Sequence, residues 1–456
     1  MDITYLTVPT AFPLLIALIV ATPVIAFIDG PVVHGLVAAA AAAAIAAVAR
    51  ASSGSESERL WRIARPFVRC LAIPAIWMAI QAVPMPFRGL SHSIWSSAEA
   101  ALGKALTGSI SVDPGATLIA LARYLSVTAT IFAAAAVTID RRRAEWVLFS
   151  LAGATTAMAA ILVVQQLASM SLAGEGQGAG TRTALAGGSS LGVILGLATT
   201  IRALERHETR RGKSDMPLSR LALQTAMGIA ATVICWWGLL AAATPQEIFA
   251  AACGFAMMAL VLLIRRLRFG SLASMAVAAV AMIVAVAMAN ARPTGSGDLT
   301  LRYAHASGPL VSLAERMVAD SGWAGSGAGG LAALTPIYRT GDELAVEPSA
   351  PTSAAEIAIG LGFPALWMIA IMVLMAAGLL LRGVMQRRRD SVYPAAGASA
   401  AVLLTLEAFT DASALGTAVT LLAAAILGLG IAQSVGRSSQ WARIGPSAMP
   451  SALGAQ

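Results

Sequence analysis

Long apolar runs alternate with short polar gaps along the whole chain. The runs fall near 10–28, 31–49, 68–87, 116–138, 146–167, 186–203, 221–242, 248–264, 271–289, 355–381, 394–411 and 415–433. A helix crosses a bilayer core with about 20 mostly apolar residues, so each run is a predicted span. Asp29-Gly-Pro31 is a tight turn that makes the first two runs a hairpin. The run at 415–433 is the least polar, and the run at 394–411 carries Glu407. The pattern predicts an all-α polytopic membrane protein with about 12 transmembrane helices. It is read as one integral membrane domain over 1–456.

Arginines sort the gaps into two kinds. They cluster at Arg59/Arg62/Arg65/Arg69, Arg141/Arg142/Arg143, Arg202/Arg206/Arg210/Arg211, Arg265/Arg266/Arg268 and Arg387/Arg388/Arg389, at every second gap. The alternate gaps hold only Arg88, Lys104, Arg182, Arg292, Arg302, Arg316 and Arg339, seven of the 31 Lys and Arg. Cytoplasmic loops carry such an excess. Both termini are therefore expected in the cytoplasm, with 434–456 a cytoplasmic tail of a multi-pass chain. The first run lacks a basic leader and an evident cleavage site, so it reads as a retained span.

Composition agrees. The chain is 58% hydrophobic and 12% charged, and soluble domains carry roughly twice that charge. The net charge of +8 needs no nucleic acid, because the clustered arginines face the anionic inner leaflet. Cys70, Cys235 and Cys253 sit in or beside apolar runs without CxxC spacing, as small core residues rather than metal ligands. No metal site and no cofactor is expected.

Three outer gaps exceed simple turns: 88–115, 168–185 and 290–354. Loops of that length are usually functional or disordered. The third, a long periplasmic loop, is expected to hold short helices. Leu310, Leu313, Ala314 and Met317 recur at helical spacing between Pro309 and Gly322, and the predicted helix lies on the outer surface with its apolar face down. The loop also gathers Arg302, His305, Glu315, Arg316, Asp320, Tyr338, Arg339, Asp342, Glu343 and Glu347. Guanidinium groups suit diphosphates, since the planar fork donates paired bonds and stays charged. An ordinary solvated loop with balanced charges is the competing reading.

Gly325-Ser-Gly327-Ala-Gly-Gly330 satisfies GxGxxG but follows no strand and opens no βαβ unit, which excludes a dinucleotide site. Arg123 and Glu407 are ionisable residues inside spans, each a functional candidate by default. Arg123, about two turns from the outer end, is expected to snorkel outward or to serve a site. Glu407 and Asp411 are four apart and share a helix face. His34, His92 and His207 are solitary and receive no role.

Three segments resemble bacterial O-antigen ligases and exopolysaccharide (Wzy-like) polymerases. They are Gly108-Ser-Ile-Ser-Val-Asp-Pro-Gly115 leading into Thr117–Tyr124; Ser321-Gly-Trp-Ala-Gly-Ser-Gly-Ala-Gly-Gly330 with Thr335-Pro-Ile-Tyr-Arg339; and Ala350–Pro364. Arg182 sits where that family keeps an outer arginine before a span. The resemblance runs over roughly 70–433.

It implies glycan transfer from an undecaprenyl-diphosphate carrier to a sugar hydroxyl at the outer face of the inner membrane, by a metal-independent inverting glycosyltransferase. The partners would be the lipid-linked glycan, the bilayer and other polysaccharide assembly proteins. Arg182, Arg302, Arg316, Tyr338 and Arg339 would bind substrate. The chain departs from the family in one place, carrying Pro351-Thr352 where the family has His-Asn. His305, Glu347 and Glu356 are the candidates to replace that function, and the chain reads as a diverged member. Two other readings stay open: a multi-pass polysaccharide transporter or flippase, and a non-catalytic assembly subunit. The absence of a clear repeat between the halves argues against a carrier.

Overall fold

The computed structural model describes residues 8–51, 54–85, 91–171, 179–210, 218–267, 297–304, 306–340, 349–386 and 390–434. Every regular element among them is a helix. In order these are α1 (Val8–Ile25), α2 (Pro31–Ala51), α3 (Gly54–Ala82), α4 (Ser93–Leu102), α5 (Pro114–Val137), α6 (Arg141–Ser171), α7 (Ala179–Arg210), α8 (Leu218–Ala242) and α9 (Pro245–Leu267). Then follow α10 (Gly308–Asp320), α11 (Leu331–Tyr338), α12 (Ser353–Leu361), α13 (Phe363–Gln386), α14 (Val392–Thr410), a 3₁₀ turn (Ser413–Leu415) and α15 (Thr417–Ser434).

Among the described residues, nine helices are long and apolar enough to cross a membrane: α2, α5 to α9 and α13 to α15. α1 and α3 add the shorter apolar stretches Thr10–Ile25 and Phe67–Ala82. The described residues are all-helical, with the architecture of a multi-pass membrane protein. Large apolar side chains such as Val32, Leu36, Leu240 and Ile371 point away from the bundle, where a bilayer would cover them. The expected run at 271–289 and the tail beyond Ser434 lie outside the described residues.

α7, α14 and α15 form the middle of the bundle and are the most enclosed of the long helices. Small residues make this possible, since close approach of backbones drives helix packing in lipid. Gly188, Gly192 and Gly196 recur every fourth residue along α7. They leave room for Met158 of α6, for Cys235 of α8 with Thr155 of α6, and for Thr232 of α8.

The expected single run at 355–381 is two helices. α12 ends at Gly362, which takes φ 90°, and a Cβ there would lie 2.1 Å from the Trp323 carbonyl oxygen. Only glycine tolerates both constraints. α12 thus stays with the loop, and α13 begins the span.

The long loop builds its own small core. α10 spans nearly the predicted residues, starting at Gly308 rather than Pro309 and ending at Asp320. Its apolar face (Val311, Leu313, Ala314, Met317, Val318) packs on Leu301, Leu334, Ala355 and Ile359. This corrects the expected surface helix, because α11 and α12 cover the face a bilayer was expected to cover.

The two ends of the bundle differ chemically. At one end Asp390, between α13 and α14, meets Arg141 of α6 at 2.7 Å and Arg202 of α7 at 2.6 Å. Arg202 also lies over the Tyr393 ring, and Arg206 pairs with Glu145 at 2.6 Å. These arginines tie helices together in addition to any topological role. The loop and its helices occupy the other end.

Candidate functional site

The three segments singled out in the sequence meet at the loop end. Val112 N–H donates to Ser326 O (2.9 Å), Ser326 N–H to Ile359 O (2.8 Å) and Gly327 N–H to Gly360 O (2.9 Å). Gly327 has φ 100°, and a Cβ on it would strike Ser111. The glycine-rich segment is therefore a backbone seam. Gln81 of α3 pins it from below. Its Nε2 donates to Ala324 O (2.8 Å) and Gly360 O (3.0 Å), and its Oε1 accepts from Ala328 N–H (3.3 Å).

Local signals set the flanking helices. Asp113 caps α5, its Oδ1 accepting from Ala116 N–H at 3.0 Å with Pro114 in the first turn, a strong start signal. Thr352 is fully buried. Its hydroxyl accepts from Ala355 N–H (3.0 Å) and donates to Thr300 O (2.7 Å). Thr352 thus caps α12 and ties it to the loop.

Below α12 lies a charged cluster built from four elements. Arg123 of α5 does not snorkel outward. It donates to Leu415 O (2.9 Å) and Thr417 Oγ1 (3.3 Å), because the α14–α15 turn offers acceptors beside it. Thr417 in turn donates to Asp29 (3.3 Å), and His34 Nε2 sits 2.6 Å from Asp29 and 3.1 Å from Thr417. Glu356, on the first turns of α12, is half-buried. Burial pushes its pKa up, the Arg123 guanidinium pulls it back, and Asp29 adds a further upward push. The recess lined by His34, Arg123, Ser126 and Thr417 measures about 10 Å³. That is water-sized, too small to enclose an organic ligand.

A second group adjoins the first through Asp411. Ser353 of α12 donates twice to Asp411 O, from N–H (2.8 Å) and Oγ (3.1 Å). The Asp411 carboxylate accepts from Ser413 N–H at 2.5 Å. Burial, with Glu247 nearby, raises the Asp411 pKa to about 7. Glu407, one turn earlier on α14, bonds the Ser190 hydroxyl, and its Oε2 has no hydrogen-bond partner among the described residues. Thr244-x-x-Glu247 is a reciprocal cap at the start of α9: Thr244 N–H donates to Glu247 Oε2 (2.6 Å), and Glu247 N–H to Thr244 Oγ1 (3.3 Å). Arg182, on the first turn of α7, donates from Nε to Ala242 O (3.0 Å) and acts electrostatically on Glu247.

The residues expected from sequence separate into groups. Arg316, Tyr338 and Arg339 come together in the loop: Arg316 donates to Tyr338 O (3.0 Å), and Arg339 caps α11 through its N–H on Thr335 O (3.2 Å). Tyr338 has its pKa raised by burial and by the neighbouring Asp320 carboxylate. Arg302 is exposed on the loop. Arg182, at the start of α7, lies with Ala242 and Glu247. Glu356 lies in the bundle-end cluster. His305 and Glu347 are outside the described residues.

Sequence reasoning missed Asp29, His34, Thr417 and Glu247. The capping box was readable from Thr244 and Glu247. The Asp29–His34–Thr417 contact joins residues over 380 positions apart, and no local signal marks it.

No protein-family model matches this chain, and no curated protein is detectably similar to it.

Proposed function

We propose that the protein is a membrane glycan transferase. It moves an oligosaccharide from an undecaprenyl-diphosphate carrier to a sugar hydroxyl at the periplasmic face of a bacterial inner membrane, in exopolysaccharide or O-antigen assembly. On this reading the chain makes twelve spans with both termini cytoplasmic, which places the loop end outside. One observation carries the reading: Glu356 and Arg123 face each other's field at the loop end, beneath a loop bearing Arg302, Arg316 and Arg339.

The chemistry is an inverting displacement. Glu356 accepts the proton of the acceptor hydroxyl, and burial, which raises its pKa, makes it a stronger base than an exposed carboxylate. The acceptor oxygen bonds to the anomeric carbon as the bond from that carbon to the diphosphate oxygen breaks. The lipid diphosphate leaves with the electron pair, and arginines stabilise its growing charge.

Glu407 favours a second reading, a proton-coupled glycan carrier. It is a buried carboxylate inside a span with one oxygen unpartnered among the described residues, the kind of group that marks proton relays. Fractionating lipid-linked repeats in cells carrying Glu356→Gln separates the two. The transferase reading expects single repeats on the carrier at the outer face, with the variant at normal membrane levels. Repeats held at the inner face would favour the carrier, and normal polymer length would sink the transferase.

A further inference from the structure

The end of the bundle opposite the candidate site holds an open cavity of about 280 Å³ lined by Arg142, Glu145, Trp146, Phe149, Arg206 and Gln224. α6, α7 and α8 supply these residues in their turns nearest the Asp390 ion pairs. Arg206 and Glu145 neutralise each other at 2.6 Å. The Arg142 guanidinium is exposed and makes no ion pair or hydrogen bond among the described residues, since only its backbone N–H bonds Asp140. Among the described residues the cavity therefore keeps one guanidinium without an ion pair beside a second guanidinium.

Its other walls are apolar or amphipathic. Trp146 is 59% exposed, and an indole in the first turns of a span suits the headgroup level of a bilayer. Leu223 and Met227, which flank Gln224 on α8, are also exposed and continue the apolar surface away from the cavity. A polar, positively charged mouth thus opens onto a lipid-facing wall. The volume fits a phosphate and glycerol, not a whole lipid, so acyl chains would run down the α8 face.

We propose that this cavity binds the headgroup of an anionic phospholipid. Arg142 and Arg206 hold the phosphodiester, the Gln224 amide meets the glycerol oxygens, and Trp146 and Phe149 cover the ester region. A choline headgroup is disfavoured, because its ammonium would lie against Arg142. Basic recesses between spans recognise anionic headgroups in this way. The proposal does not depend on the transferase reading, since the cavity is at the other end of the bundle.

The test uses the full chain in detergent micelles, with native mass spectrometry and thermal unfolding as two readouts. The probes are dioleoyl phosphatidylglycerol, dioleoyl phosphatidylcholine and inorganic phosphate. Wild-type protein should bind and be stabilised by phosphatidylglycerol but not by phosphatidylcholine. Arg142→Gln removes one exposed charge and should weaken that binding about fivefold, the effect of about one basic residue at a membrane surface. Arg382→Gln, an exposed arginine on α13 outside the cavity, should leave it unchanged. Equal stabilisation by phosphatidylcholine, full stabilisation by inorganic phosphate alone, or equal losses in the two variants would each overturn the proposal.

Discussion

Gln81→Met tests whether one buried amide holds the loop seam to the bundle. Methionine matches glutamine in length and keeps the packing, but removes three hydrogen bonds. Gly360 O keeps its bond from Gly327 N–H at 2.9 Å. Ala324 O and Ala328 N–H each lose the side-chain partner that the structure gives them. Each buried group left unmade costs about 1–3 kcal/mol. The Ala328 bond is long at 3.3 Å, so the lower half of that range applies and the sum over the two groups is about 2–4 kcal/mol. Hydrogen exchange in micelles reads this directly at Ser326 and Gly327, whose amides cross the seam. A local loss of 2 kcal/mol speeds their exchange about 30-fold. Amides in the middle of α7 should stay unchanged. Exchange at Ser326 and Gly327 within threefold of wild type would refute the assignment of Gln81 as the anchor.

Two further outcomes follow from buried charge. Asp390→Ala leaves Arg202, whose side chain is 5% exposed, without the carboxylate at 2.6 Å; a broken buried pair costs about 3–5 kcal/mol, so the unfolding temperature should drop clearly, and adding Arg202→Leu should recover part of the loss. Asp411 titrates near 7 in the fold against an ordinary value of 3.8, so its protonated form is the favoured one: stability is full below about pH 4 and declines as pH rises to 7. Asp411→Asn keeps an acceptor for Ser413 N–H and cannot ionise, so its stability advantage over wild type should widen from pH 5 to pH 8 in thermal unfolding. A gap that does not change with pH would contradict the burial argument.

Nine of the twelve expected runs appear among the described residues as helices long enough to span, and these were legible because they depend on composition over about 20 residues, which packing seldom overrides in lipid. The run at 355–381 shows what composition omits. Gly362 looks like any glycine in an apolar run, and only the Trp323 carbonyl pressed against it explains the break. The proximity of Glu407 and Asp411 was legible from their spacing, although Asp411 is the extended cap of α14 and not part of the helix. The destination of Arg123 was not. Its acceptors, Leu415 O and Thr417, come from the packing of α5 on α15, and a span-bound arginine gives no sign whether it turns to water or to a neighbour. The resemblance to membrane glycan transferases marked three separate segments, and the seam hydrogen bonds bring those segments into contact. That contact raises their value as a structural unit without assigning an activity to it.

The distribution of charge constrains how a transferase of this shape would hold its substrates. The bundle side of the candidate site holds Asp29, Glu247, Glu356, Glu407 and Asp411 against Arg123, Arg182 and His34. A diphosphate placed there would face an excess of carboxylates. The loop side offers Arg302, Arg316 and Arg339. On the transferase reading, the donor's diphosphate therefore lies toward the loop and the acceptor hydroxyl toward Glu356. The acids then repel the leaving group while one of them takes the proton. Arg123 sits at the boundary, its charge shared between Glu356 and the α14–α15 turn. A guanidinium bound to a backbone carbonyl of that turn makes the base sensitive to any shift of the turn. Contact between the sugar and residues 413–415 would then alter the proton affinity of Glu356.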